Sequence, residues 1–146
     1  MVTVPNLTSA TQYYWVVRAR DKAGNRDANV VEKGALTKVS FVQDVYPIFL
    51  QHCATQGCHV PGNPPFGLVL VPESVAYGNI FNVASGEVPA IKRVVPSDPT
   101  NSYLYQKIIG THSVGEIMPP AAANDALSTL KKNVIQSWVQ QGATQN

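Results

Sequence analysis

Two thiols and an imidazole stand close together in Cys53-Ala54-Thr55-Gln56-Gly57-Cys58-His59. A pair of thiols ending in a histidine is the set that fastens a haem to a polypeptide. The thiols add across the two vinyl groups, and the adjacent imidazole becomes the proximal iron ligand. The usual spacer between the cysteines is two residues; here it is four. Both sulfurs still reach one porphyrin edge if the extra residues bulge outward, and Gly57 gives the backbone that freedom. A second, softer donor follows in Met118, set in G-E-I-M-P-P, where two prolines stiffen an extended segment and cannot continue a helix. His/Met ligation favours reduced iron and fills both axial positions, which points to electron transfer.

The same residues support plainer readings. Cys53 and Cys58 can close a disulfide in an exported protein. A zinc site would have to draw on His52, His59, His112 and the two cysteines, which lack the paired spacing of structural zinc sites. Met118 can be a core methionine. His112 competes with it for the sixth position and would lower the potential. His52 is expected at a helix end, exposed. Arg93 is either a solvated loop charge or the partner of a haem propionate, which a guanidinium engages bidentately. Trp138 and Tyr103 read as packing residues.

Helices joined by long loops must hold these groups. Ser40-Phe41-Val42-Gln43 matches a capping box, and Phe41, Val45, Ile48 and Phe49 share a helical face leading to Cys53. Pro47 kinks that helix or marks its true first turn. Pro72-Glu73-Ser74 opens a second helix in which Tyr77, Ile80 and Phe81 share a face. Asp98-Pro99 predicts a third helix over 99–109, closed by Gly110. Ser128 caps the last, with Val134, Ile135, Trp138 and Val139 as its apolar stripe and Gly142 as a left-handed stop. The proline-rich stretch from Val60 to Pro72 is expected as loop wall around the cofactor.

Ahead of this region the period changes. Tyr13, Trp15, Val17 and Ala19 alternate with Tyr14, Val16, Arg18 and Arg20, the pattern of a half-buried strand. Asp21 to Asp27 is a turn cluster, and Val30 to Leu36 can return as the partner strand. A lone hairpin has no sheet to bury its apolar face against. Its missing strands are expected upstream in a longer protein; docking on the haem region, or strand-mediated assembly with another chain, are the alternatives.

The order F-V-Q-D-V-Y-P-I-F-L-Q-H-C, C-H, G-L-V-L, A-Y-G-N-I, R-V-V-P-S-D-P-T-N-S-Y-L-Y-Q-K-I, I-M-P-P and V-I-Q-S-W-V-Q-Q-G-A, over residues 41–146, resembles the single-haem cytochrome c-like domains of exported bacterial proteins. That resemblance implies one haem c, thioethers at Cys53 and Cys58, and His59 and Met118 as axial ligands. It implies a last helix that crosses the first near the haem edge. The spacing of Leu7, Thr11 and Tyr13, followed by V-R-A-R-D-K-A-G-N, resembles the last two strands of a fibronectin type III domain, with Tyr13 in the tyrosine-corner role. The expected fold class is therefore mainly α: a cytochrome c-like helical haem domain over 38–146 behind a partial fibronectin-like β-hairpin over 1–37.

Composition sets the outer limits. The 146 residues are 45% apolar and 14% charged, as in a globular chain with a lightly charged surface. The net charge of +2 is spread without a basic cluster, so neither a nucleic-acid footprint nor a polybasic membrane patch is present. No unbroken apolar stretch approaches the length of a membrane span. Covalent haem attachment in bacteria occurs outside the cytoplasm, which makes the expected location periplasmic or extracellular. Met1-Val2-Thr3-Val4-Pro5 lacks the regions of a signal peptide, so an export signal was removed or the chain is a fragment.

The expected function is one-electron transfer with redox proteins as partners, without a catalytic base. An open sixth position would instead give a haem enzyme or small-gas sensor. Without haem, the chain would be an extracellular adhesion or scaffold module with a Cys53–Cys58 disulfide.

Overall fold

Eleven prolines, ten of them after Tyr46, set the limits of regular structure in this chain. The structure, a computed structural model, describes residues 4–146 and divides into two units, Met1–Lys38 and Val39–Asn146.

In the first unit, β1 (Gln12–Trp15) pairs antiparallel with β2 (Lys33–Leu36) in the register Gln12↔Leu36 to Trp15↔Lys33. Gly34 lies opposite Tyr14, whose ring carbons come within 2.9 Å of where a Cβ would stand, so the ring covers the glycine backbone. The Tyr13 hydroxyl accepts a hydrogen bond from the Thr8 amide at 3.0 Å, tying the strand to the chain just upstream. Both strands are shorter than the alternation suggests. Beyond Trp15, side chains replace ladder bonds: Asn29 Nδ2 donates to Val17 O at 2.8 Å, the Ala19 amide to Asp27 Oδ2 at 2.7 Å, and the Asn25 amide to Asp21 Oδ1 at 2.9 Å. Asn and Asp compete in this way with strand pairing. Trp15 and Val17, read as half-buried, are exposed, because a two-stranded ribbon supplies no second layer of its own.

The second unit begins with a π-helical turn, Phe41–Val45, that runs into α1 (Tyr46–His52). Ser40 caps it, accepting from the Gln43 amide at 3.2 Å, while Asp44 accepts from the Ser40 amide at 2.7 Å. The reciprocal half of the capping box therefore comes from Asp44, not Gln43. Pro47 sits in the first turn of α1, where its missing N–H costs no helical bond. α2 (Glu73–Ile80) buries Ala76 and Ile80. α3 (Tyr103–Ile109) starts later than Asp98-Pro99 suggests. Asp98 caps only a turn, accepting from the Asn101 amide at 3.1 Å. Ser102, fully buried, donates to Asp98 O at 2.7 Å and accepts from the Val95 amide at 2.8 Å. Gly110 ends α3 at φ +82, a left-handed stop. α4 (Thr129–Gln140) is capped by Ser128 and buries Val134, Ile135, Trp138 and Val139.

The core gathers on Phe41. Its ring meets Trp138 at 5.2 Å, Tyr77 at 5.3 Å, Phe49 at 6.1 Å and Tyr46 at 6.2 Å, the last two contacts reaching along α1. α4 thus packs on the turn that leads into α1, and also on α3. The chain end joins the same cluster: the Phe41 amide donates to Asn146 Oδ1 at 3.2 Å and Trp138 Nε1 to Thr144 O at 3.0 Å.

The mainly α expectation needs correction. Four helices with their short helical turns make up 31% of the chain, and 11% is extended. Prolines and short side-chain-bonded turns hold most of the second unit between α2 and α4, so apolar residues there pack from loops. Among the described residues no helix is long and apolar enough to cross a membrane.

Replacing Phe41 by Ala is expected to cost about 3–5 kcal/mol, the range for a large aromatic lost from a packed core. Leu130→Ala, on the exposed face of α4, should stay within about 0.5 kcal/mol of the parent. Urea unfolding curves at constant slope measure both, and equal effects would contradict the packing described.

Candidate functional site

The segment Cys53–His59 is shaped by the end of α1. The Cys53 and Ala54 amides both bond to Phe49 O, at 2.9 and 2.7 Å, and close the helix. The chain then reverses through Thr55-Gln56-Gly57-Cys58, with the Cys58 amide donating to Thr55 O at 3.0 Å. Gly57 holds the third position at φ +82, as a type II turn requires. Nothing lies within 4 Å of a Cβ built there, so the need is for backbone freedom and not for space. Finally the His59 amide donates back to Cys53 O at 3.1 Å. The spacer is therefore an exposed loop, Thr55 to Gly57, cinched at its base. Cys53, Cys58 and His59 emerge on the wall of one cavity. Both cysteines are free thiols. Burial, with smaller contributions from Asp125 and Cys58, pushes the Cys53 thiol up to about 12.

His59 is oriented by the proline-rich loop that follows. Its Nδ1 lies 3.0 Å from Leu68 O, and since a carbonyl only accepts, that nitrogen carries the proton. The Leu70 amide returns a bond to His59 O at 2.8 Å. Nε2 is left with its lone pair and makes no hydrogen bond among the described residues. A backbone carbonyl bonded in this way fixes the tautomer of an imidazole that can bind a metal through its other nitrogen. Burial lowers the His59 pKa; the Leu68 bond opposes this, and the Arg93 and Lys107 cations add to it. The neutral, ligating form is favoured.

Met118 lines the same cavity, its amide bonded to Lys107 O at 3.0 Å on α3. The cavity measures about 600 Å³, inside the range of roughly 300–1,000 Å³ typical of small-molecule and cofactor sites. Phe49, Leu68, Leu70, Leu104, Ile108 and Ile135 give it apolar walls. Flat aromatic cofactors need such walls, and the donor set suits iron in a porphyrin: one imidazole with a free Nε2, one thioether and two thiols. His112 is not among the lining residues. Its Nε2 donates to Gly115 O at 3.2 Å, and its Nδ1 is buried without a partner. Among the described residues, no group of three or more His, Cys, Asp or Glu side chains is arranged to hold a metal ion by itself.

Arg93 also reaches the cavity. Its guanidinium donates to Asn79 O at 2.7 Å and Phe66 O at 3.3 Å, which fixes its plane. Three of its five N–H groups stay available, and it has no carboxylate partner among the described residues.

Two polar clusters on the wall escaped the sequence. Lys107 and Glu87 form an ion pair at 2.8 Å, and the Tyr103 hydroxyl donates to the same Glu87 oxygen at 2.8 Å. His52, expected exposed, is instead held: Nδ1 donates to Asp125 Oδ1 at 2.7 Å, and Nε2 accepts from the Lys131 ammonium. The four-residue spacing of Tyr103 and Lys107 on one helix face was the only local signal. Glu87 and Asp125 come from loops whose path no short-range pattern fixes.

No family model matches the chain, and no curated protein or solved structure shows significant similarity to it.

Burial works against ionisation of Glu87, but bonds from Lys107 and Tyr103 and the Lys107 charge outweigh it and hold the carboxyl below its ordinary range. A depressed carboxyl contributes stability above its unfolded pKa and loses it as pH falls through the folded one. Glu87→Gln should therefore be destabilised at neutral pH by roughly 3 kcal/mol, as for a broken buried pair. The gap to the parent should close as pH falls below the ordinary carboxylate range. Denaturation midpoints across that range measure it, and a constant gap would contradict the assignment.

Proposed function

We propose that this cavity holds one haem c, attached through thioethers at Cys53 and Cys58 with His59 and Met118 as axial ligands, and that the protein carries single electrons. The observation that carries the reading is convergence. Two thiols, an imidazole with a free Nε2 and a thioether from a distant loop line one apolar cavity of cofactor size.

Bound there, a haem supplies an iron that changes by one electron between two stable states. The chain does the rest. The Leu68 carbonyl keeps the proton on His59 Nδ1 and so keeps Nε2 basic and correctly aimed. Covalent attachment at two points prevents loss and limits rotation of the cofactor. Met118 would supply the second protein ligand to the iron, which would keep small molecules away and raise the potential relative to a second imidazole. The apolar walls exclude water from the ring, disfavouring the more charged oxidised state. Arg93 has N–H groups available for a propionate, a bond strengthened by charge on both sides.

Partners under this reading are redox proteins that meet the cavity mouth in small, short-lived contacts. The edges of the hairpin are open to strand addition as a second mode of assembly. Haem attachment of this kind assigns the protein to the periplasm or the cell exterior.

Protein produced with a cytochrome maturation system tests the reading. The parent should show a reversible one-electron wave and, when reduced, should not bind carbon monoxide without denaturation. Met118→Ala should bind it readily and show a lower potential. A parent that binds carbon monoxide as readily as the variant has an open iron, and the electron-carrier reading fails.

A further inference from the structure

The loop that carries Met118 is anchored by side chains that never reach the thioether. Tyr103 Oη and Lys107 Nζ both donate to Val114 O, at 3.0 and 3.2 Å. Lys107 Nζ also donates to Glu87 Oε2 at 2.8 Å, and Tyr103 Oη lies 2.8 Å from the same oxygen, so its single proton is shared between Glu87 and Val114 O. The two donors sit one helical turn apart on α3, and the acceptor arrives from the loop after Ser85. The Lys107 and Glu87 side chains are only 9% and 11% exposed. Gly115 is pressed against them: a Cβ there would come 2.0 Å from Glu87 Oε1 and 2.9 Å from Lys107 Nζ, and φ is +73. Three residues later the Met118 amide bonds to Lys107 O.

The segment between Gly110 and Met118 is thus held at Val114 O, at the Gly115 backbone and at the Met118 amide, each time by the Lys107 region. Within the segment His112 Nε2 also donates to Gly115 O at 3.2 Å, while Val114 is 49% and Ile117 37% exposed. A neighbouring cavity of about 350 Å³, lined by Met118, Ile117, Pro119 and Leu127 among others, gives the thioether somewhere to go if the segment loosens. A buried ion pair contributes little net stability, because desolvation offsets attraction. What this one contributes is direction: two donors and one acceptor fix the carbonyl of a loop.

We propose that Glu87, Lys107 and Tyr103 are positioning residues for Met118, a clamp that keeps the thioether turned into the main cavity and so keeps the sixth iron position closed. This rests on the haem reading above. Loosening the clamp lets the 110–118 segment withdraw the thioether part of the time, and an added ligand then competes for the position. Attachment at Cys53, Cys58 and His59 is untouched.

The test uses the protein with its haem attached, as parent, Lys107→Met, Tyr103→Phe and Glu87→Gln. Lys92→Met, which removes an equal charge bonded to Asn82 on the surface, is the control. Three readings are taken on each: the shifted methionine methyl resonance of the reduced form, the rate of carbon monoxide binding, and the midpoint potential. Far-ultraviolet circular dichroism is followed at the same temperatures. In Lys107→Met, carbon monoxide should bind on the order of tenfold faster than in the parent, with a lower potential and a native dichroism spectrum. Lys92→Met should match the parent.

The clamp is wrong if all three variants bind carbon monoxide within about twofold of the parent, or if binding rises only where helical signal is lost, as a purely structural pair would give. Should Lys107→Met fail to fold, Tyr103→Phe decides, because it keeps the ion pair and removes the one hydroxyl proton shared between Val114 O and Glu87; parent-like binding there overturns the proposal. A parent without the methionine resonance overturns the clamp together with the ligation it rests on, whereas a parent with it and unchanged variants overturns the clamp alone.

Discussion

The bond between His59 Nδ1 and Leu68 O is the constraint on which the site depends. It ties the end of the cysteine loop to the proline-rich segment, assigns the proton to one ring nitrogen and leaves the other with its lone pair. The amide of His59 bonds back to Cys53 O, so one residue closes the cysteine loop with its main chain and is aimed by its side chain. Gly57 makes this possible at φ +82, where any Cβ-bearing residue would be strained.

A four-residue spacer looks like an obstacle to presenting two thiols on one wall. The structure resolves it locally: the added length forms an exposed turn closed by the Cys53–His59 bond, and both cysteines line one cavity. Behind it, the Phe41 cluster fixes α1 against α4 and leaves the cavity side of α1, at Phe49, to serve as wall. Protein interiors rarely leave gaps larger than a water molecule. An apolar space of about 600 Å³ between core and loops is therefore a feature of this unit.

Local chemistry was legible in the sequence wherever it acts over short range. Ser128, Gly110 and Gly142 mark helix ends because caps and left-handed stops depend on a few neighbouring residues. The stripe of Val134, Ile135, Trp138 and Val139 is legible because α4 packs on one face only. Asp98-Pro99 misled, because the same pair opens a turn as readily as a helix, and Ser102 spends its hydroxyl on that turn. The alternation after Tyr13 misled because Asp21, Asp27 and Asn29 offer the backbone side-chain bonds in place of a ladder. The helical share was overrated because the four expected helices are short, the third starting only at Tyr103, and long loops make up most of the rest. In the site, Cys53, Cys58, His59, Met118 and Arg93 stand out by residue type. The pairing of Glu87 with Lys107, and of Asp125 with His52, arises only when distant loops meet.

The account turns on two sulfurs bonded to one porphyrin. Intact mass and peptide mapping of protein matured in an exporting host test this directly. The account predicts a mass increase of one haem, with both Cys53 and Cys58 modified in a single coloured peptide that also contains His59. Exported, colourless protein in which the two thiols are unmodified, or are joined only to each other, would contradict it.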